Sequence, residues 1–446
     1  MAERIRALCD SDRGLRFVAR PEDDPTVRQP DTSPWPGRRS GGSPRSTLTP
    51  GRSAPFPGSA GSDVAVAAAT EVKCIEDIAS LETYRDAWDT LAIRAGRPYS
   101  LSPWGLIWWR NARPRNALLR AIVVLEGGRL VGIAPLYANR TKYGFYSYRF
   151  LGGSDGTRVD MVAAPGCERS VASAIVDALS EVRPRAAVIN LNGIETSASE
   201  LYTEWRKHGF RRQTRLSSGA PYIDCMPDPE AWLTNRGSHF RQQIRRRRRY
   251  LASDGGQLRV IDDGHELETG VRECLRLHRS IWDRKGGSKV VTPAIEATLV
   301  ELANDLAGSG HLRLAVAEGN GETIASVIVL AAGGEAACWL SGYDARWGRI
   351  TPTALAMLEA ARDAHERGDR RLELGAGLQA YKDRLSDGQR ALRWLSLIPP
   401  GGLGHLAAAT SMPTIARAAT LAAVARKLPL EKRASIRLIA QRWHLL

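Results

Sequence analysis

Four stretches of the chain hold residues whose types and spacing suit chemistry. Gly152-Gly-Ser154-Asp-Gly156 follows an apolar run and matches G-x-S-x-G, the turn that presents a hydrolase nucleophile. That role needs a helix directly behind the serine, and Thr157-Arg-Val-Asp-Met-Val reads as extended chain. Gly375-Ala-Gly377-Leu-Gln-Ala380 matches G-x-G-x-x-A, but a dinucleotide also needs a βαβ unit and an acid about 20 residues on. Trp394 and Pro399-Pro400 follow instead, so this is a structural turn. The segment 236–249 carries seven arginines and no acid. It suits a solvated basic face, a nucleic-acid helix, or a wall of guanidinium forks for an anionic substrate or a phosphate. Only Tyr250 adjoins it, few aromatic platforms for a single strand. In Trp339-Leu-Ser-Gly-Tyr-Asp-Ala-Arg-Trp-Gly-Arg-Ile-Thr-Pro-Thr-Ala-Leu, a strand enters a loop with Arg346 and Arg349, and a helix opens at Thr351-Pro352. Free helix N–H groups, the helix dipole and two arginines make a pyrophosphate site.

Composition narrows the classes. The 446 residues hold 63 Lys+Arg against 48 Asp+Glu, a formal charge of +15. An apolar share of 43% excludes global disorder. The six cysteines (9, 74, 167, 225, 274, 338) lie far apart without a C-x-x-C, which fits a reducing cytosol and neither a disulfide framework nor a zinc ribbon. No H-E-x-x-H occurs among the eight histidines, so metal hydrolysis has no support and no metal is expected. Met1 to Arg20 has no apolar core of a secretory signal, and no uninterrupted apolar stretch reaches membrane-spanning length.

The elements that must position these residues follow from pattern. Pro, Gly and Ser fill 22 of the 42 positions of 21–62, so 1–62 reads as a disordered tail. Beyond it runs an internal repeat at a spacing of about 190 residues. Leu119 to Ala134 and Leu312 to Val327 each read strand, tight turn, strand, with Glu-Gly-Gly and Glu-Gly-Asn-Gly turns supplying the positive φ of a hairpin. Each continues with a strand ending near an Asp (Asp155, Asp344), then a helix (168–182, 353–367) and a strand (186–192, 371–375). The expected fold class is α/β (α+β): two tandem units, each a mixed, mostly antiparallel sheet flanked by helices. The units are 63–225 and 257–401, joined by 226–256. In that linker Asp228 caps one long helix to Ser253, with Phe240, Ile244 and Leu251 on its buried face. Residues 402–446, with seven basic residues and one acidic, read as basic amphipathic helices that pack on the body or touch anionic lipid.

From about 72 to 400 the chain resembles the CelD/BcsL-type acyltransferases of the GNAT superfamily, tandem proteins related to the FemABX aminoacyl transferases. The likeness rests on Trp88 and Leu91, Ser102-Pro-Trp104, Gly132-Ile-Ala-Pro135-Leu136, Phe150-Leu-Gly152 with Ser154-Asp155, the arginine helix, Tyr343-Asp344…Trp347…Thr351-Pro352, and Glu373-Leu-Gly375…Tyr381-Lys382. Thr353 stands where relatives carry Gly, and Glu373 where Asp is more frequent.

The resemblance implies transfer of an acyl group, acetyl first, from acyl-CoA to an amine or hydroxyl, in exopolysaccharide, cellulose or cell-envelope metabolism. It puts the donor on the second unit, its phosphates at Arg346, Gly348, Arg349, Thr351 and Thr353. Catalytic expectations are Asp344 or Glu373 as proton acceptor, Tyr343 or Tyr381 as proton donor to the thiolate, and Lys382 for an acidic group or phosphate. Asp155, Arg241 and Arg245 are the expected substrate contacts. The rival readings are an aminoacyl transferase using aminoacyl-tRNA, which the arginine helix suits, and a non-catalytic nucleic-acid- or polysaccharide-binding protein that has lost its donor site at Thr353. The expected location is the cytoplasm, with peripheral membrane contact through 404–446.

Overall fold

The computed structural model describes residues 69–401, apart from 142, 143, 284–286, 289 and 378. The expected tail 1–62 and the basic helices of 402–446 lie outside the described residues.

The first half runs β1 (Thr70–Ile75), α1 (Ile78–Glu82), α2 (Arg85–Arg94), α3 (Ser102–Ala112), β2 (Leu118–Leu119), β3 (Ala121–Glu126), β4 (Arg129–Ala134), β5 (Leu136–Arg140), β6 (Tyr146–Phe150), β7 (Val162–Ala163), α4 (Glu168–Glu181), β8 (Ala186–Ile194), α5 (Glu200–Lys207) and β9 (Arg211–Asp224). Two linking helices follow, α6 (Pro229–Thr234) and α7 (Ser238–Ser253). The second half is β10 (Gln257–Ile261), α8 (Gly264–Trp282), α9 (Pro293–Asp305), β11 (Leu312–Gly319), β12 (Glu322–Ala332), β13 (Glu335–Tyr343), α10 (Pro352–Glu366), β14 (Arg371–Glu373), α11 (Ala380–Leu385) and β15 (Gly388–Ile398).

Both expected hairpins form. Gly127 and Gly128 turn β3 into β4, and Asn320 and Gly321 turn β11 into β12, all four at positive φ. The halves then diverge at one residue. In the second half β12 runs unbroken for 11 residues, whereas Pro135 divides the corresponding stretch into β4 and β5. Proline has no N–H for a ladder, so the strand changes sheets there. A four-stranded sheet β1-β3-β4-β7 separates from an 11-stranded sheet of order β10-β11-β12-β13-β14-β9-β15-β8-β6-β5-β2.

The large sheet runs across both halves, which exchange strands. β9 of the first half lies between β14 and β15, and β15 lies between β9 and β8. Among the described residues only β6–β8 and β13–β14 pair in parallel, each across an intervening helix, α4 or α10. One apolar cluster joins Trp104 and Leu151 of the first half to Leu299, Leu314 and Leu340 of the second; another fills the space between α10 and β12 to β14. Each fully buried side chain of that size contributes about 1.5–3 kcal/mol. Close approach of the halves demands Gly333: a Cβ there would stand 1.7 Å from the carbonyl oxygen of Ile93. Among the described residues no helix is long and apolar enough to cross a membrane.

The expected single helix from Asp228 to Ser253 is two. Asp228 does cap α6, accepting from the N–H groups of Glu230 and Ala231. The chain then breaks at Asn235-Arg236-Gly237, because Arg236 lies 4.1 Å above the Trp232 ring and pairs with Asp387 beyond α11.

Candidate functional site

The site begins where two strands part. β13 and β14 pair over only Glu335–Ala337 and Arg371–Glu373. On its other side the register of β13 slips opposite Ile328 and Val329, leaving Trp339 as the extra residue of a bulge. Past Glu373 the chain turns away through Gly375 at φ +79°. Between the parted strands lies a cavity of about 110 Å³, walled by Cys338 to Ser341, Leu374 to Ala376, Met357 of α10, and Tyr381 and Lys382 of α11.

Burial sets the character of these walls. It pushes the Tyr381 phenol up to about 12, so Tyr381 is a proton donor at neutral pH. The Cys338 thiol is likewise held up at about 12, which excludes it as a nucleophile. Lys382 donates from Nζ to the Gly375 oxygen at 3.2 Å, and burial lowers its pKa.

Glu373 stands at the apex of the parting, 2% exposed. Its Oε1 accepts from Thr157 Oγ1 at 3.2 Å, while Oε2 has no hydrogen-bond partner and lies 3.8 Å from Arg158 and 4.0 Å from Arg390. Burial raises its pKa, against the pull of the two arginines. Glu335 holds the same arginines more closely, Arg390 at 2.7 Å and Arg158 at 3.5 Å. Arg158 adopts φ +58° and donates to the Gly96 oxygen of its own half, while its pairing with Glu335 ties that half to the second.

The first half meets the cavity wall where Asp155 contacts Trp339. Trp339 donates its Nε1–H to the Asp155 main-chain oxygen at 2.5 Å, and its ring meets Trp104 edge-on at 5.9 Å. The Asp155 carboxylate accepts from Trp108 Nε1 at 2.8 Å and Ser154 Oγ at 2.7 Å. Burial nonetheless raises its pKa. Ser154 thus serves a carboxylate, with no helix behind it, and the nucleophile-elbow pattern is a coincidence of spelling.

The other expected residues fall elsewhere. Asp344 caps the 3-10 turn Ala345–Ile350, accepting from the Arg346 backbone N–H at 2.9 Å and from its Nε at 2.7 Å. That hydrogen bonding holds its carboxyl below the usual range, the opposite of what a proton acceptor needs. Tyr343 ends β13 and packs against the small cluster of Leu251, Ile324 and Leu355. Arg346 is exposed and also pairs with Glu322 at 3.2 Å. Arg349 lies 4.8 Å over the Tyr250 ring at the end of α7. Gly348 faces open space, Thr353 is buried, and Thr351 takes a left-handed conformation (φ 51°, ψ 61°) just before α10.

Arg241 donates to the Thr234 and Arg236 oxygens, both at 2.7 Å, and so closes the end of α6 rather than facing a substrate. Arg245 is exposed on α7 without an ion pair among the described residues. The structure thus sets Tyr381 and Lys382 in the cavity wall, with Glu373 just before Leu374 of that wall and Asp155 bonded to Trp339 through its main-chain oxygen, and leaves Asp344, Arg346, Arg241 and Arg245 outside it. The sequence reading missed Trp108, Arg158, Glu335 and Arg390. Of these, only Glu335 carried a signal, a carboxylate opening an otherwise apolar strand, Glu335-Ala-Ala-Cys-Trp-Leu.

Residues 238–383 match the family model of the acetyltransferase (GNAT) domain. That interval opens with α7, closes in α11, and contains the whole cavity. Among solved structures the chain is similar to FemX, at 11% identity over 74% of this chain and 97% of that one, with a TM-score of 0.53. A tandem GNAT protein from the clavulanic acid biosynthesis pathway is 16% identical over 75% of this chain and 100% of its own, with a TM-score of 0.35. A conserved protein of unknown function from Bacteroides thetaiotaomicron is 11% identical over 74% and 100%, with a TM-score of 0.47. At such identities the FemX likeness speaks for the fold alone, and the other two carry no argument. No curated relative matches the chain. No group of three or more His, Cys, Asp or Glu side chains suited to a metal ion occurs among the described residues.

Proposed function

We propose that the protein is a GNAT-type acyltransferase that moves an acyl group from acyl-CoA to an amine or hydroxyl. The carrying observation is the parting of β13 and β14 inside the segment that matches the GNAT domain, with a buried, protonated phenol in its wall. Acyl transfer asks for an aligned donor, a deprotonated acceptor and a proton for the leaving thiolate.

In this reading the acyl-thioester end of the donor lies between the parted strands. Tyr381 supplies the proton to the thiolate. Lys382 holds the turn at Gly375 and presents its cation to the donor or to an acidic group. Asp155, offered from the first half with a pKa raised by burial, takes the acceptor proton. Glu373, with a single hydrogen bond and almost no exposure, positions Thr157 and Arg158 behind the cavity. The donor phosphates lie along 346–353, where Arg349 is the cation without a carboxylate partner among the described residues. An acceptor from exopolysaccharide, cellulose or cell-envelope metabolism is what the CelD/BcsL likeness supports. Saturable binding of acetyl-CoA or a longer acyl-CoA to the full chain, lost when Ser341→Trp fills the cavity, is the test. Equal binding by both proteins would place the donor elsewhere.

A second reading, aminoacyl transfer from tRNA, is favoured by one observation: Arg245, Arg246 and Arg249 are exposed on α7 without ion pairs among the described residues. Affinity for tRNA that falls steeply with salt, on the order of one logarithmic unit of slope per phosphate contact, would support it.

A further inference from the structure

A second polar surface lies on the first half's part of the large sheet, and the roles above make no use of it. Register carries a row of polar side chains across it: Tyr137 of β5 opposes Arg149 of β6, while Asn190 of β8, Ser396 of β15 and Gln213 of β9 oppose one another in turn. The Arg149 position on β6 continues the parallel pairing of Tyr148 with Ile189 and so comes level with Asn190. Where the β15–β9 register slips, Arg215 is the extra residue, and its Nη2 donates to Asn192 Oδ1 and to the Leu191 and Leu395 oxygens.

Two features of this surface make no sense for a closed fold. Arg149 is half-buried, yet it forms no hydrogen bond and no ion pair with any described residue, and its Nε is shut off from solvent. The Nε of Arg215 and the Oε1 of Gln213 are also buried without partners. The charge of Arg149 also bears on Arg215. Burial, then the charge of Arg149, lowers the pKa of Arg215 to about 10. Among the described residues the carboxylate within electrostatic reach of Arg149 is Asp155; it forms no ion pair with Arg149, and its Oδ2 accepts from both Trp108 and Ser154. Two like charges with buried, unused Nε donors cost stability unless an anion completes them.

We infer that Arg149 and Arg215 form a binding site for an anionic oxygen group, a carboxylate or a phosphate, carried by the acceptor substrate. Guanidinium forks suit both anions, and Gln213 and Asn190 offer amides to the atoms around the charge. The site sets specificity: an acceptor anchored here by its anion reaches its amine or hydroxyl toward Asp155 and the cavity behind Trp339. The assignment to the acceptor rests on the acyl-transfer reading; the anion site does not.

The test is thermal unfolding of the full chain at constant ionic strength, with chloride replaced stepwise by inorganic phosphate or by acetate. Wild type is expected to gain Tm saturably with one of the two anions, which identifies the class. Arg149→Met should lose that gain, and Arg129→Met, on the exposed β3–β4 hairpin, should keep it. In chloride alone Arg149→Met should melt at or above the wild-type temperature, since the repulsion with Arg215 is removed and no hydrogen bond or ion pair is lost. Equal gains in wild type and Arg149→Met, no gain with either anion, or an Arg149→Met chain that melts lower or fails to fold would each overturn the site. Acyl-CoA binding, measured in parallel, should be the same in wild type and Arg149→Met. Anion binding without acyl-CoA binding would keep the site and overturn its assignment to an acyl acceptor.

Discussion

Trp339 reaches from the bulge of β13 to the main-chain oxygen of Asp155, an N–H···O contact of 2.5 Å between the two halves of the chain. The same indole walls the cavity between β13 and β14. A single side chain therefore fixes how far a carboxylate of the first half stands from the parted strands of the second. The strand exchange of β9 and β15 makes that spacing rigid, since neither half can turn without breaking ladder pairs with the other. Catalysis by positioning depends on this sort of stiffness.

Asp155→Asn tests the proposed proton acceptor. Burial raises the Asp155 pKa, so the reacting carboxylate is lost as pH falls through that elevated value, and wild-type kcat/KM should fall on the acid side accordingly. The variant should lose about 10²- to 10⁴-fold and show no such limb. A carboxyl held above its unfolded pKa contributes stability below the unfolded value and loses it as pH rises through the folded one. Asp155→Asn should therefore melt no lower than wild type at pH 7. An unchanged rate profile would assign the acceptor proton to another group.

Tyr381→Phe removes the proposed donor to the thiolate. With the phenol at about 12, wild-type kcat should show no alkaline fall from this group up to about pH 10. The variant should lose roughly 10²-fold in kcat with KM nearly unchanged, because the interaction belongs to the transition state. A matching rise in KM would make Tyr381 a binding residue instead.

Glu335→Ala probes the lock behind the cavity. Its carboxylate pairs with Arg390 at 2.7 Å and Arg158 at 3.5 Å, and all three side chains are largely buried. Removing one partner of a buried network leaves cations uncompensated and should cost about 3–5 kcal/mol in urea unfolding. A loss below 1 kcal/mol, the size of a surface pair, would show that Glu373 alone balances the arginines.

Much of this architecture is legible in the residues. Gly127-Gly128 and Asn320-Gly321 declare two hairpins, and the strand–helix–strand order after each is regular. Pro135 was visible, but its consequence, a sheet split in two, depends on where the chain can next find a pairing edge. The insertion of β9 between β14 and β15 joins strands about 150 residues apart, and no local pattern chooses among partners of similar polarity. At the site, Tyr381 and Lys382 entered through the resemblance, and the structure sets both in the wall of the cavity. Asp344 caps the turn Ala345–Ile350, and in the sequence an aspartate before a helical turn looks the same whether it caps or accepts a proton. Arg149, within Tyr-Ser-Tyr-Arg-Phe, reads as an ordinary alternating strand residue, and only the tertiary neighbours show that its side chain has no ion pair among the described residues.

Thr351→Gly addresses the backbone before α10. A β-branched residue at φ 51° costs about 1–2 kcal/mol, and no side-chain cap bond offsets it. The variant should be more stable by about that amount. If the held geometry serves the donor phosphates, its acyl-CoA affinity should fall as stability rises. Unchanged or reduced stability would show the conformation to be unstrained.

The most direct measurement is calorimetric titration of the full chain with acetyl-CoA and with a longer acyl-CoA, beside Ser341→Trp. Saturable one-to-one binding by wild type and none by the variant is the predicted result. Absence of binding to either donor would contradict the account and leave tRNA as the donor to test.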